Sequence, residues 1–204
     1  MKKIVLAAAL SLCCLPAIGM AEDINDIFKR VNDLVASKNY TKALEELTWA
    51  QKEIEKLNLT QVQSFFPDTL AGFTGAKFEA NSALGMTNLE RQYSKAGSSE
   101  TVKLSLSGSS SGGAAAGGLG GLAAFGRMAA MMGGGQGQDT FRISGRTATM
   151  QKEDGSDSAQ LTVFLDSGSI LSLELSNGSD ASVLKTMAEA LKLNDLDNYL
   201  RGQK

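Results

Sequence analysis

Gln160-Leu161-Thr162-Val163-Phe164-Leu165-Asp166-Ser167-Gly168-Ser169-Ile170-Leu171-Ser172-Leu173-Glu174-Leu175 largely alternates apolar and polar side chains on either side of a turn, a period of two that marks two strands. Asp166-Ser167-Gly168 forms the hairpin corner, because glycine tolerates positive φ and aspartate can bond its own backbone. The same reading upstream gives strands at Arg146–Glu153 and Thr140–Ser144, with Asp154-Gly155-Ser156-Asp157 as a second corner. Two more strands lie at Thr101–Ser107, with Val102, Leu104 and Leu106 on one face, and Asn88–Lys95, with Leu89, Arg91 and Tyr93 on one face. The implied sheet is antiparallel. Downstream, a helix begins near Ser179 or Asp180, which can cap it, and carries a buried stripe of Val183, Leu184, Met187, Ala188 and Leu191. Asn194 and Asp195 break it before a short last turn holding Leu196, Tyr199 and Leu200.

Before Phe65-Phe66-Pro67 the period is helical. Ile24, Ile27, Phe28, Val31, Leu34 and Val35 form one stripe, and Ala43, Leu44, Leu47, Ala50, Ile54 and Leu57 a second after the break at Lys38–Tyr40. These two helices form an antiparallel hairpin. The fold class is therefore α+β: an N-terminal two-helix hairpin, then a curved antiparallel sheet with a C-terminal helix packed on it.

Composition sets the chemistry. The 204 residues contain no histidine, and both cysteines, Cys13 and Cys14, sit in an apolar run preceded by Lys2 and Lys3 and followed by Gly19 and Ala21. That is the pattern of a cleavable export signal, which implies a periplasmic or secreted protein. Leu12 before Cys13 is a poor match to a lipoprotein signal, so cleavage after Ala21 is expected. What remains lacks the usual proton shuttle at neutral pH, any thiol and the usual soft metal ligands. Acidic residues then outnumber basic ones by four, which disfavours nucleic acid as a partner, and no later stretch approaches the roughly 20 apolar residues of a membrane span. The expected division is a signal peptide at 1–21, the hairpin at 22–64, and the sheet domain at 65–204 with a Gly/Ala/Met-rich excursion at 108–138.

Lys38-Asn39-Tyr40-Thr41-Lys42-Ala43-Leu44-Glu45-Glu46-Leu47 resembles the turn and second helix of a tetratricopeptide unit. One unit cannot build the stacked groove of such arrays, which need about three copies. Past Phe66-Pro67, the order of two strands, an excursion, a strand opening with Ile143-Ser144-Gly145-Arg146-Thr147-Ala148, two strands and a helix resembles the sandwich of PsbP and Mog1-type proteins. The chain as a whole resembles a family of small exported proteins of Gram-negative bacteria with such a hairpin before such a domain. The resemblance implies the fold and brings no activity with it.

Motifs that could carry chemistry are few. Gly118-Leu119-Gly120-Gly121-Leu122-Ala123 spells a dinucleotide fingerprint, but a flexible tract separates it from the preceding strand and no lysine follows to make a phosphate loop. Met128, Met131 and Met132 share one helical face; they are either Cu(I) thioether ligands or adaptable core residues. Asp154-Gly155-Ser156-Asp157 and Asn177-Gly178-Ser179-Asp180 lack the acids of a calcium loop and serve as turns and caps. A serine nucleophile would need a base other than histidine. Phe65, Phe66, Phe73 and Phe78 either staple the hairpin to the sheet, or Trp49, Tyr40 and Phe73 line an exposed patch. The expectation is a noncatalytic binding or assembly module of the cell envelope without a cofactor, which meets an envelope protein through Tyr40, Trp49 and Phe73 or through Leu119, Leu122 and Phe125. A small apolar-ligand or Cu(I) carrier is the alternative, and a histidine-free hydrolase is a third.

Overall fold

The computed structural model describes residues 23–83, 86–109, 138–152 and 155–203. The expected signal peptide at 1–21, Leu119, Leu122, Phe125 and the three methionines Met128, Met131 and Met132 lie outside them. The chain divides after Lys56 into two compact units. It is α+β, with two N-terminal helices and a curved antiparallel sheet of nine strands on which C-terminal helices pack.

In the first unit, α1 (Ile24–Ala36) is capped by Asp23, whose Oδ1 accepts the Asn25 N–H at 2.9 Å. It ends in a Schellman turn: Lys38 N–H donates to the Val35 carbonyl at 3.0 Å and Asn39 N–H to that of Leu34 at 2.8 Å. Lys38 occupies the left-handed position of that turn at φ +59°. Then α2 (Tyr40–Gln63) begins, running past the division into the second unit.

The second unit holds β1 (Thr69–Leu70), β2 (Phe73–Gly75), β3 (Glu79–Ala83), β4 (Met86–Ser94), β5 (Thr101–Ser109), β6 (Gln138–Ile143), β7 (Arg146–Lys152), β8 (Ala159–Phe164) and β9 (Ile170–Ser176). They are ordered β1-β2-β4-β5-β9-β8-β7-β6, with β3 also paired to β4. The register lines up apolar rows across the sheet. Leu89, Leu106, Leu171, Val163 and Ala148 are successive partners, as are Leu104, Leu173 and Leu161. All eight are buried, each leucine contributing about 1.5–3 kcal/mol. The opposite face is polar, with Lys103 paired to Glu174 at 2.6 Å and Gln160 bonded to Ser172 at 3.0 Å.

Ser144 (φ +49°) and Gly145 (φ +82°) form a two-residue turn between β6 and β7, so the run through Ile143-Ser144-Gly145-Arg146 is a hairpin corner between two strands. Asp166-Ser167-Gly168 turns β8 into β9 as its sequence requires, closed by Leu165 N–H to the Ser169 carbonyl at 3.0 Å. The strands β1, β2 and β3 carry no usable alternation and follow from tertiary contact. Arg91 on β4 holds that corner: its Nε donates to the Ala76 carbonyl at 2.7 Å, Nη1 to that of Phe66 at 2.6 Å and Nη2 to Asp68 Oδ1 at 2.6 Å. A Cβ on Gly75 would stand 2.5 Å from that Nε, so the guanidinium requires glycine there.

Two helices close the apolar face. The Asp180 carboxylate accepts the Ser182 N–H at 2.9 Å ahead of α3 (Ser182–Ala190), and bonds from Ser182 hold its carboxyl below the ordinary range. The break expected at Asn194–Asp195 falls earlier, where extended Leu191 ends α3; Asn194 and Asp195 lie inside a two-turn helix, α4 (Leu193–Leu200). Leu184, Met187, Ala188, Leu193 and Leu196 join the sheet's core.

Candidate functional site

Among the described residues, the large apolar side chains that stand exposed all belong to α1 and α2: Phe28, Val35, Tyr40, Leu44, Leu47 and Ile54, with Trp49 and Leu57. The helices bury little between themselves, namely Ile27 and Val31 of α1, and Ala43 and Ala50 of α2. Alanines permit close approach but supply little apolar area. Of the rest, Ile24 and Leu34 are half-buried and the others stand exposed.

Helix geometry decides which exposed residues share a face. At about 100° per residue, Phe28 and Val35 lie to one side of the Ile27/Val31 seam, while Tyr40, Leu44 and Leu47 are displaced in the same rotational sense from Ala43/Ala50. In an antiparallel pair, equal senses of displacement lead to the same side of the hairpin. The opposite displacement provides a check. Arg30 and Glu46 are both rotated the other way, and they meet, with Arg30 Nη2 2.9 Å and Nε 3.1 Å from Glu46 Oε2. One side of the hairpin thus carries this ion pair and the other the apolar set, rimmed by Asn25, Asn32, Thr41, Thr48 and Gln51 and, at one end, by Glu55, which accepts a bond from Gln51 Nε2 at 2.8 Å.

Of the residues expected in a partner patch, Tyr40 lies on this face at 60 % exposure. Trp49 does not. It is about 200° around α2 from Leu47 and stacks with Lys52, whose Nζ lies 5.0 Å from the ring centroid. Phe73 is 1 % exposed and belongs to the core of the second unit, because β2 turns it inward beside Leu70 and Tyr93. Phe66 is buried edge-on against Phe78 at 5.1 Å, and Phe65 packs on Tyr199 at 6.0 Å. The sequence places the hairpin's apolar residues on one stripe of each helix and leaves open what covers it; the signal for their exposure is the pair of alanines, too small to fill a helix seam.

Among the described residues, the buried ionisable groups of the second unit are engaged in structure. Asp197 on α4 is wholly buried and accepts bonds from Arg146 Nε at 2.9 Å, Ser167 N–H at 2.8 Å and Asp166 N–H at 3.1 Å. Asn194 Oδ1 and the Ser144 carbonyl take up Arg146 Nη1. Burial opposes ionisation of Asp197 most strongly, yet the Ser167, Arg146 and Asp166 donors together hold its carboxyl below the ordinary range. Burial pushes the Tyr93 hydroxyl up to about 12, the Arg91 charge opposing and Asp68 assisting. The bond to Glu174 raises Lys103. Each of these shifts carries the group further from neutrality.

Among the described residues no cluster of three or more His, Cys, Asp or Glu side chains assembles, and no helix is long and apolar enough to cross a membrane. A pit lined by Val62, Leu89, Leu106 and Leu200 has a volume near 80 Å³, far below the roughly 300 Å³ of a small-ligand site. A larger cleft of about 360 Å³ is bounded by Gln63, Ser64, Asp68 and Arg91, whose guanidinium already serves the corner it holds. Compared with models of protein families, with curated proteins and with solved structures, the chain matches none.

Proposed function

We propose that this protein is a noncatalytic binding or assembly module of the cell envelope, exported through the segment 1–21, and that its working surface is the apolar side of the helical hairpin. One observation carries the reading: among the described residues, large exposed apolar side chains gather on α1 and α2, while the strands and C-terminal helices turn theirs inward. Contiguous apolar surface rimmed by polar groups is what interfaces present. The directions of the titration shifts support the noncatalytic part, since proton-transfer groups are usually tuned toward neutrality. The resemblance to exported hairpin-bearing proteins of Gram-negative bacteria supports the location.

A photo-crosslinking residue placed at 44, on the apolar side, tests this in the producing cell against one at 49, on the far side. A discrete adduct from 44 that is absent from 49 is expected. Equal labelling from both positions, or none from 44, removes the hairpin face from any interface.

A further inference from the structure

We infer that the occupant of this face is a second copy of the same chain, joined hairpin to hairpin in a four-helix bundle; the inference rests on the binding reading above. Spacing supports it first. Tyr40, Leu44, Leu47, Gln51 and Ile54 follow intervals of four, three, four and three, and the exposed Phe28 and Val35 stand seven apart on the same side of α1. Those intervals build the seam of helix-on-helix packing. Two such seams side by side on antiparallel helices amount to half of a four-helix bundle. A single foreign helix would fill the groove between them and leave the flanks wet, whereas another half-bundle covers both.

Self-complementarity is the second argument. A two-fold contact pairs one patch with itself, so any charge near the axis meets its own like. Lys29, Asp33, Lys42, Glu45 and Lys52 project away from the face, the Arg30–Glu46 pair occupies the opposite side, and Glu55 lies at one end of the rim, held by Gln51 and away from the middle of the patch where a two-fold axis would pass. The rim's asparagines and threonines both donate and accept, so they can pair with their own symmetry mates. A lipid surface would instead call for lysine or arginine along the rim. Area is the third. The exposed portions of Phe28, Val35, Tyr40, Leu44, Leu47 and Ile54 amount to on the order of 500 Å² per copy, and the polar rim brings this toward the roughly 800 Å² per partner of a standard stable interface.

Sedimentation equilibrium of the purified full chain at micromolar concentration should give a dimer. Leu44→Glu and Leu47→Glu, substitutions at exposed positions, should each weaken association at least tenfold while leaving the circular-dichroism spectrum unchanged. Trp49→Glu, on the far side, should leave it dimeric. A wild-type protein that is monomeric throughout, or a dimer indifferent to Leu44→Glu, overturns the proposal. The crosslinker at 44 separates this failure from failure of the binding reading. An adduct of twice the chain mass supports the second copy. An adduct of another mass from a protein that is monomeric when purified overturns the second copy and keeps the binding face, and absence of any adduct overturns both.

Discussion

The hairpin and the sheet unit obey the same periodic rules and spend their apolar residues in opposite ways. In the sheet, Leu104, Leu173 and Leu161 stand opposite one another across three strands and are sealed by Leu184 and Met187 from α3. In the hairpin, Leu44, Leu47 and Ile54 repeat just as regularly and remain 65 %, 42 % and 47 % exposed. Period identifies which side of an element seeks cover. It does not say whether the cover comes from the same chain. The contrast therefore divides a unit whose stability is internal from one whose apolar face can gain by association.

The largest expected effect tests the internal half of that contrast. Asp197→Ala strands the Arg146 guanidinium, 7 % exposed, and removes the acceptor for the Asp166 and Ser167 amides. Breaking a buried pair from one side costs about 3–5 kcal/mol, so urea unfolding of the sheet should shift far to lower denaturant. A shift under about 1 kcal/mol would mean the node contributes little. Next comes a matched pair of leucines. Leu173→Ala, at 0 % exposure, should cost about 2–5 kcal/mol. Leu44→Ala, measured in protein dilute enough to be monomeric, should stay within about 0.5 kcal/mol of wild type. Similar losses from both would erase the distinction.

Much of this division is legible in the letters, and the remainder fails for physical reasons. The six longer strands emerge from alternation because β4, β5, β7, β8 and β9 each have one covered face, and β6 is fixed by the two-residue turn after it. The short β1, β2 and β3 do not, because two, three and five residues without alternation leave their pairing to the Arg91 tether and to Gly75. Arg146 and Asp197, 51 positions apart, carry no local pattern that joins them. At the candidate site the apolar residues are visible in the sequence, while their exposure depends on how little Ala43 and Ala50 can fill. Trp49 is exposed, as a patch residue must be, but although next to the stripe in sequence it lies well off it in angle, a difference that appears only when the helix is turned through 100° per residue.

Acid and base sharpen the comparison further. The folded state holds Asp197 below its unfolded pKa of about 3.9, so this carboxylate stabilises the sheet above that value and the contribution is lost as pH falls through it. Asp197→Asn should flatten that acid limb of the stability curve. Tyr93 has the opposite sign: raised to about 12 from an unfolded value near 10, it favours the fold fully below pH 10 and loses that contribution between about 10 and 12. The effect is at most on the order of 2 kcal/mol, and Tyr93→Phe should abolish it while giving up the bond to the Pro67 carbonyl at all pH. Ultraviolet-monitored alkaline unfolding checks it. If Tyr93→Phe retains the wild-type alkaline limb, another group governs that limb.

The smallest effect lies in the turn between the two helices. The β6–β7 turn places Ser144 at φ +49° and Gly145 at φ +82°, and the helical turn places Lys38 at φ +59°. A left-handed residue with a Cβ costs roughly 1–2 kcal/mol, which glycine avoids. Lys38→Gly therefore relieves strain in the Schellman turn. It also removes a positive charge near the C-terminus of α1, worth about 0.3 kcal/mol, and gives the unfolded chain more freedom. The net gain should be near 0.5 kcal/mol and confined to the hairpin. Amide hydrogen exchange resolves it, since protection should rise through α1 and the first turns of α2 while β4, β5 and β9 stay unchanged. Equal protection gained in the strands would show that hairpin and sheet open together, and would break the contrast between a self-sufficient unit and one that waits for cover.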